Sequence, residues 1–310
     1  MIQANHLCRK YGEQFAVEDL SFHVRKGEVM GLLGPNGAGK STTMKMLTCF
    51  LPPSSGEAFV DGVSLQDSIK VRRKVGYLPE NAPSYSDLDV CSHLKFIGSM
   101  HGLMDAALAD RIREMGALCG LEHVMYRRID ELSKGFRQRV GLAASMLHDP
   151  ACLIFDEPTT GLDPNQIVEI RKLIRRLGEK RTVLLSSHVL PEVEAVCDRM
   201  MIIDKGQLQV MGTARELSRQ ARGEALLYVT FKASSEVVFD LLRESVEEVG
   251  VELRDIDAPH SYAIHHPDPD YPLAEALFHA AVSCGAVILE MHSEQATLED
   301  VFRKLTGGGA

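Results

Sequence analysis

No stretch of the 310-residue chain approaches the ~18 consecutive apolar residues that a helix needs to cross a bilayer. The opening MIQANHLCRKYG lacks the apolar core of a secretory leader, so a cytoplasmic protein is expected. Paired cysteines are missing as well. The seven cysteines, Cys8, Cys49, Cys91, Cys119, Cys152, Cys197 and Cys284, are scattered, odd in number and contain no CxxC. That argues against a disulfide framework or a zinc site and predicts reduced, mostly buried thiols. A concentrated basic patch is absent too. From Gly223 to Ala310 there are 5 Lys+Arg against 16 Asp+Glu, hence −11, while residues 1–222 hold 29 against 27, hence +2. An acidic tail repels nucleic acid, so no nucleic-acid partner is expected.

What is present is a globular composition, 45% hydrophobic and 25% charged, with length for one large or two ordinary domains. Residues 1–213 alternate short apolar strands with helical stretches, the pattern of an α/β sheet domain. VMGLLG (29–34), CLIFD (152–156), TVLLSS (182–187) and MMIID (200–204) are continuous apolar runs. Such runs suit parallel strands covered on both faces. FAVEDLSFHV (15–24) alternates instead and reads as an outer antiparallel strand. Between Pro83 and about Asp149 the pattern is helical, which predicts a helical subdomain inserted into the sheet domain.

After a charged connector, ARELSRQARGE (214–224), the pattern changes. Residues 225–310 read as strand LLYVTF, helix SEVVFDLLRESVEEVG, strands VELRDI and YAIHH, helix LAEALFHAAVSCG and strand VILEMH. TLEDVFRKLTG closes as a short helix, with Gly307–Gly309 as a frayed end. The order βαββαβ predicts an α+β, ferredoxin-like accessory domain.

The chemistry concentrates in two places. GPNGAGKST (34–42) fits G-x-x-x-x-G-K-[S/T] directly after an apolar strand and before the helical run TTMKMLTCFL. Gly34, Gly37 and Gly39 let the backbone curl around a β-phosphate, Lys40 reaches the β- and γ-phosphates, and the Ser41 hydroxyl can ligate Mg²⁺. CLIFDEPTTGLD (152–163) delivers Asp156 at the carboxyl end of a strand, where such sheets bind ligands. Asp156 can hold Mg²⁺ through water and Glu157 can orient an attacking water; an ordinary solvated turn is the bland alternative.

ELSKGFRQRVGLA (131–143) poses a separate question. Phe136, Val140, Ala143 and Leu147 recur at helical spacing, and Ser133 and Gly135 stand at the start of that helix. Ser133 could simply cap it, or its free N–H groups could receive a phosphate. His260, His265, His266, Asp268 and Asp270 (HSYAIHHPDPD) contain possible metal ligands, but their spacing fits a polar loop better. The acidic ESVEEVG reads as a solvated helix face. Tyr11 could be a half-buried strand residue.

Taken together, these motifs resemble the nucleotide-binding subunits of ABC (ATP-binding cassette) transporters over roughly residues 1–213. The resemblance places Tyr11 on adenine and identifies GPNGAGKST (Gly34, Pro35, Asn36, Gly37, Ala38, Gly39, Lys40, Ser41, Thr42) with the Walker A loop. LIFDEP resembles the Walker B strand with the catalytic Glu157, TGLD the D-loop with Asp163, and Ser187-His188 the switch histidine. LSKGF stands where the family has LSGGQ, so Ser133, Lys134 and Gly135 are expected to cover ATP held by a second subunit; Lys134 and Phe136 replace a glycine and a glutamine. Glu80 in GYLPENAP stands where the family has a Mg²⁺-ligating glutamine.

The whole chain, including TLEDVFRKLTG, looks most like exporter ATPases of drug, polysaccharide or gliding-motility systems. The resemblance implies ATP and Mg²⁺ as cofactors. It also implies a second ATPase subunit, in a homodimer, and a separate integral membrane permease through which the protein attaches to the cytoplasmic face of the membrane. The permease's coupling helix is expected near Tyr77–Met100. The transported substrate is not encoded here. The alternative is a soluble ATPase of the same family not involved in transport. Such proteins usually show long coiled-coil insertions or two cassettes in tandem, and one cassette, no heptad run and an acidic tail argue against it.

Overall fold

In the computed structural model, the described residues are 1–81, 85–221, 225–233, 236–253, 260–268, 271–294 and 298–306. The chain divides into two compact units, Met1–Ala214 and Arg215–Arg303, with the residues from Lys304 counted with the first.

Alternating burial makes a hairpin of β1 (Ile2–Tyr11) and β2 (Gln14–Val24), antiparallel from Ile2↔Val24 to Tyr11↔Gln14. The fully buried β3 (Val29–Leu33) follows and hands the chain to α1 (Lys40–Leu47). After β4 (Ser55–Val60), β5 (Val63–Ser64) and α2 (Ser68–Lys74) comes β6 (Val75–Leu78). The helical stretch comprises α3 (Val90–Met100), α4 (Asp105–Cys119) and α5 (Lys134–Met146). Then come β7 (Cys152–Phe155), α6 (Pro164–Gly178), β8 (Thr182–Ser187), α7 (Leu190–Val196), β9 (Arg199–Asp204) and β10 (Gln207–Gly212).

Two sheets result. One has the order β2-β1-β4-β5, with β2 at its edge; the other has the order β10-β9-β3-β8-β7-β6. Strands β9, β3, β8, β7 and β6 run parallel, and β10 is antiparallel to β9. The continuous apolar runs thus lie in the parallel sheet, where both faces are covered. Strands β1, β4, β5, β6 and β10 were not anticipated from sequence. One core unites Leu7 and Leu20 of the first sheet, Leu32, Ile154 and Leu184 of the second, and Met44 and Leu47 of α1.

Asp89 caps α3 by accepting from Ser92 N–H at 2.8 Å. Among the described residues of 85–149 no strand occurs, only an isolated bridge between Asp89 and Arg128. On α5, Val140, Ala143 and the following Leu147 are buried, but Phe136 is only half-buried. Gly135, Gln138, Leu142, Ser145 and Met146 are buried as well, so α5 hides a broader face than one stripe. Pro83 lies outside the described residues.

The second unit starts with α8 (Ala214–Ala221), so part of the charged connector is helical. It continues through β11 (Ala225–Phe231), α9 (Glu236–Ser245), β12 (Gly250–Leu253), β13 (Ser261–His266), α10 (Leu273–Cys284), β14 (Ile288–Glu294) and α11 (Leu298–Leu305). Its sheet, β12-β13-β11-β14, is antiparallel throughout. Leu227, Val229, Phe231 and Ile264 pack with Phe239 and Leu242 of α9 and Leu277 of α10.

Two expectations change here. Helix α9 stops at Ser245 and Glu248 takes a left-handed φ of 60°, so ESVEEVG is not a helical face. The strand expected at YAIHH is present as β13, so His265 and His266 stand at a strand end rather than in a polar loop; His265 stands 3.8 Å from Glu252, and His266 Nδ1 accepts the Asp268 N–H. Asp270 and Gly307–Gly309 lie outside the described residues. All seven cysteines are free; three are buried, three intermediate and Cys284 exposed, fewer buried than expected.

His148, just after α5, stacks on His101 with ring centroids 3.9 Å apart, and its Nε2 meets the Val75 carbonyl at 3.0 Å. Burial, reinforced by His101, pulls its pKa down to about 4. An unfolded histidine takes its proton near 6.5. Between those values the unfolded chain binds more protons, so stability falls as pH falls. We expect the urea midpoint to drop from pH 7 to pH 4.5, and the drop to shrink in His148→Phe; an equal drop in both proteins excludes His148 as its source.

Candidate nucleotide-binding site

Strand β3 ends at Leu33, and the chain must turn sharply to start α1 at Lys40. Gly39 makes that turn with a φ of 103°, and a Cβ there would stand 2.4 Å from the Ala16 carbonyl oxygen. A Cβ at Gly34 would stand 2.5 Å from the Ile203 carbonyl oxygen. The loop is therefore pressed between β2 and β9, and no larger side chain fits either place. Residues Asn36, Gly37, Ala38, Gly39, Lys40, Ser41 and Thr42 line a cavity of about 550 Å³.

Lys40 is buried, and its Nζ donates to the carbonyls of Gly34 (2.7 Å) and Pro35 (3.1 Å). Glu157 Oε1 stands 3.5 Å from the same ammonium. A buried cation requires such partners, because desolvation is otherwise prohibitive. Glu157 Oε2 lies 2.9 Å from His188 Nδ1 and accepts from Thr160 Oγ1 at 3.2 Å. Glu157 also adopts a left-handed φ of 49°, rare for a non-glycine residue, at the turn leaving β7. Glu80, Glu157, Thr160, His188 and Ala16 complete the cavity wall.

Asp156 is buried, and its Oδ1 accepts from Ser41 Oγ at 3.1 Å and from Ser186 Oγ at 2.7 Å. Ser186 Oγ in turn accepts the Glu157 N–H at 2.9 Å. Burial, with the Asp156 carboxylate adding to it, raises the Tyr77 phenol above its ordinary range, so that hydroxyl stays neutral.

The remaining candidates lie elsewhere. Ser133 caps α5, its Oγ accepting the Phe136 N–H at 3.4 Å. The Lys134 side chain lies over Gly161, while Gln166 covers Gly135 so closely that a Cβ there would approach to 2.5 Å. Asp163 caps α6 through Gln166 N–H at 2.9 Å. Tyr11 is 48% exposed at the end of β1. None of Ser133, Lys134, Gly135, Asp163 or Tyr11 lines the cavity. Ser186, Thr160 and Ala16 were missed from sequence. Only Ser186 carried a signal, as a polar residue inside the apolar run TVLLSS.

A family profile described as ABC transporter matches residues 17–160. The linearmycin resistance ATP-binding protein LnrL of Bacillus subtilis (strain 168) is 33% identical over 311 residues, covering 99% of this chain and 98% of that protein. The chain belongs to the ABC transporter ATP-binding proteins. The bacitracin transport ATP-binding protein BcrA of Bacillus licheniformis is 30% identical over 321 residues, covering 100% of this chain and 98% of its own length. A solved ATP-binding subunit of an ABC transporter is similar at 32% identity with a TM-score of 0.65, over 71% of this chain and 92% of that one. As an ABC ATP-binding subunit, the protein binds and hydrolyses ATP in the service of a transporter.

Within this ABC ATPase, Ser186 ties Asp156 to the Glu157 backbone across neighbouring strands. Ser186→Ala leaves a buried N–H unmet and strips one donor from a buried carboxylate. The expected loss is about 1–3 kcal/mol, read as a lower urea midpoint. An unshifted midpoint means the serine hydroxyl is dispensable.

Proposed function

We propose that this subunit hydrolyses ATP at composite sites made by two copies of the chain, and so energises export through a separate membrane permease. The observation that carries this reading is a division of labour. The phosphate loop, Glu157 and His188 share one cavity, while the Ser133–Gly135 corner lies outside it. Two anion-binding corners that do not meet within one chain can meet between two. The likeness to a linearmycin resistance and a bacitracin transport ATP-binding protein favours export.

In this reading, Lys40 leaves its two carbonyl partners for the β- and γ-phosphates, and Glu157 orients the attacking water. His188, already 2.9 Å from Glu157, holds that carboxylate in place. Ser133 and Gly135 of the second copy cover the γ-phosphate, and Tyr11 stacks on the adenine ring. The oxygen donors of Ser41, Asp156 and Glu80 suit Mg²⁺, and Ser41 and Asp156 are already within 3.1 Å. Bound there, Mg²⁺ would neutralise charge on the β- and γ-phosphates. ATP shifts the pair toward closure because it binds the closed state better, and loss of the γ-phosphate removes that preference.

The permease's coupling segment is assigned to a groove of about 780 Å³ between the sheet domain and the helical subdomain, lined by Val75, Tyr77, His93, Ile97, Val140 and Ala144. No described helix is long and apolar enough to cross a membrane, in keeping with a separate permease and with peripheral attachment at the cytoplasmic face. The second unit's element order and its sheet order β12-β13-β11-β14 support a ferredoxin-like accessory domain.

Removing a general base costs roughly 10²–10⁴ in rate. Glu157→Gln should therefore turn over at most about a hundredth as fast yet sediment as a dimer in saturating ATP. Near-normal turnover removes Glu157 from this role, and a monomer in ATP removes the composite site. Glu80→Gln, which restores the family's residue, should keep hydrolysis within several-fold of the parent; complete loss of Mg²⁺-dependent turnover makes the carboxylate essential.

A further inference from the structure

Arg9 precedes Tyr11 by two residues on β1, so both side chains leave the same face of the strand. The Arg9 guanidinium carbon stands 4.9 Å from the Tyr11 ring centroid, within cation–π range. The guanidinium is anchored from behind: Nη1 donates to the Pro52 carbonyl at 2.7 Å. Arg9 Nε is buried with no hydrogen-bond partner among the described residues. A buried donor left unmet carries a desolvation cost, so the carbonyl and the ring together must hold the group where it is. Neighbouring Lys10 points to the other side, over Phe15 and toward Glu13.

Tyr11 is thus an exposed ring with one face occupied. It is carried by the hairpin that borders the phosphate loop, for its pairing partner strand β2 supplies Ala16 to the cavity wall. We propose that Arg9 is a positioning residue for base recognition: by occupying one face of Tyr11, it presents the other face to the adenine ring of ATP. This rests on the reading of Tyr11 as the adenine platform. An unclamped exposed ring samples several rotamers and must be ordered when the nucleotide arrives. A ring already held needs no such ordering, which favours binding without touching the chemical step. The cation also draws ring electron density to its own side, leaving the far face better suited to an electron-rich purine.

The test uses the full chain, ATP turnover, and inorganic tripolyphosphate as a competitor that has neither base nor sugar. Arg9→Ala should raise KM for ATP about two- to five-fold, the scale of an exposed cation–π contact, with kcat nearly constant. Arg9→Lys, which keeps the charge and loses the planar face, should fall between. Inhibition by tripolyphosphate should be the same in all three proteins, which separates a base effect from damage to the phosphate loop. In a Tyr11→Ala background, Arg9→Ala should change KM no further. An unchanged KM in Arg9→Ala, an equal change with and without Tyr11, or altered tripolyphosphate inhibition each overturn the proposal. If Tyr11→Ala itself leaves KM at the parent value, the adenine-platform reading falls first and takes this one with it.

Discussion

A lysine ammonium buried at the start of α1 organises this molecule. Lys40 survives away from water only because two loop carbonyls and the Glu157 carboxylate surround it. Those partners come from different parts of the chain, so the pairing requires the ends of β3 and β7 to open into one cavity. The sheet order meets that requirement by inserting β8 between them. Ser186 of that middle strand then joins Asp156 to the Glu157 backbone.

The same geometry surrounds Glu157 with buried partners while Ser133 and Lys134 stay exposed. Glu157 holds an unfavourable left-handed backbone, and it is kept there by Ser186 at its N–H and by Lys40, Thr160 and His188 at its carboxylate. Ser133 and Lys134, by contrast, are exposed at a helix start whose cap is already satisfied. A surface of that kind can meet a partner without dismantling any buried network. The long side chain of Lys134 finds room only because position 161 is a glycine.

Legibility in the sequence followed range. The phosphate loop and the Asp156–Glu157 pair were readable because their chemistry is local: a buried strand, a turn, and the residues that the turn must present. The continuous apolar runs were equally plain, since strands covered on both faces need no alternation. Strands β1 and β4 escaped notice because half of each faces solvent and carries polar residues such as Asn5, Lys10 and Glu57. The end of α9 was misplaced because VEEVG continues a helix-compatible composition, and the break depends on the left-handed turn at Glu248. Phe136 fits the helical spacing but stays half-buried, its ring edge-on to His123.

By itself, the sequence determined the class of chemistry and offered candidate residues for it, because a glycine-rich loop after a strand and a strand-end carboxylate are constraints of neighbouring bonds. It also determined that the two ends of the chain differ in charge and architecture. Only the tertiary structure decided which side chains share a cavity, that Ser186 links the two acids, that Arg9 occupies one face of Tyr11, and that Lys134 lies on Gly161. Each of these depends on segments far apart in the chain arriving at one place. Sheet order and burial set such meetings, and local spacing carries no record of them.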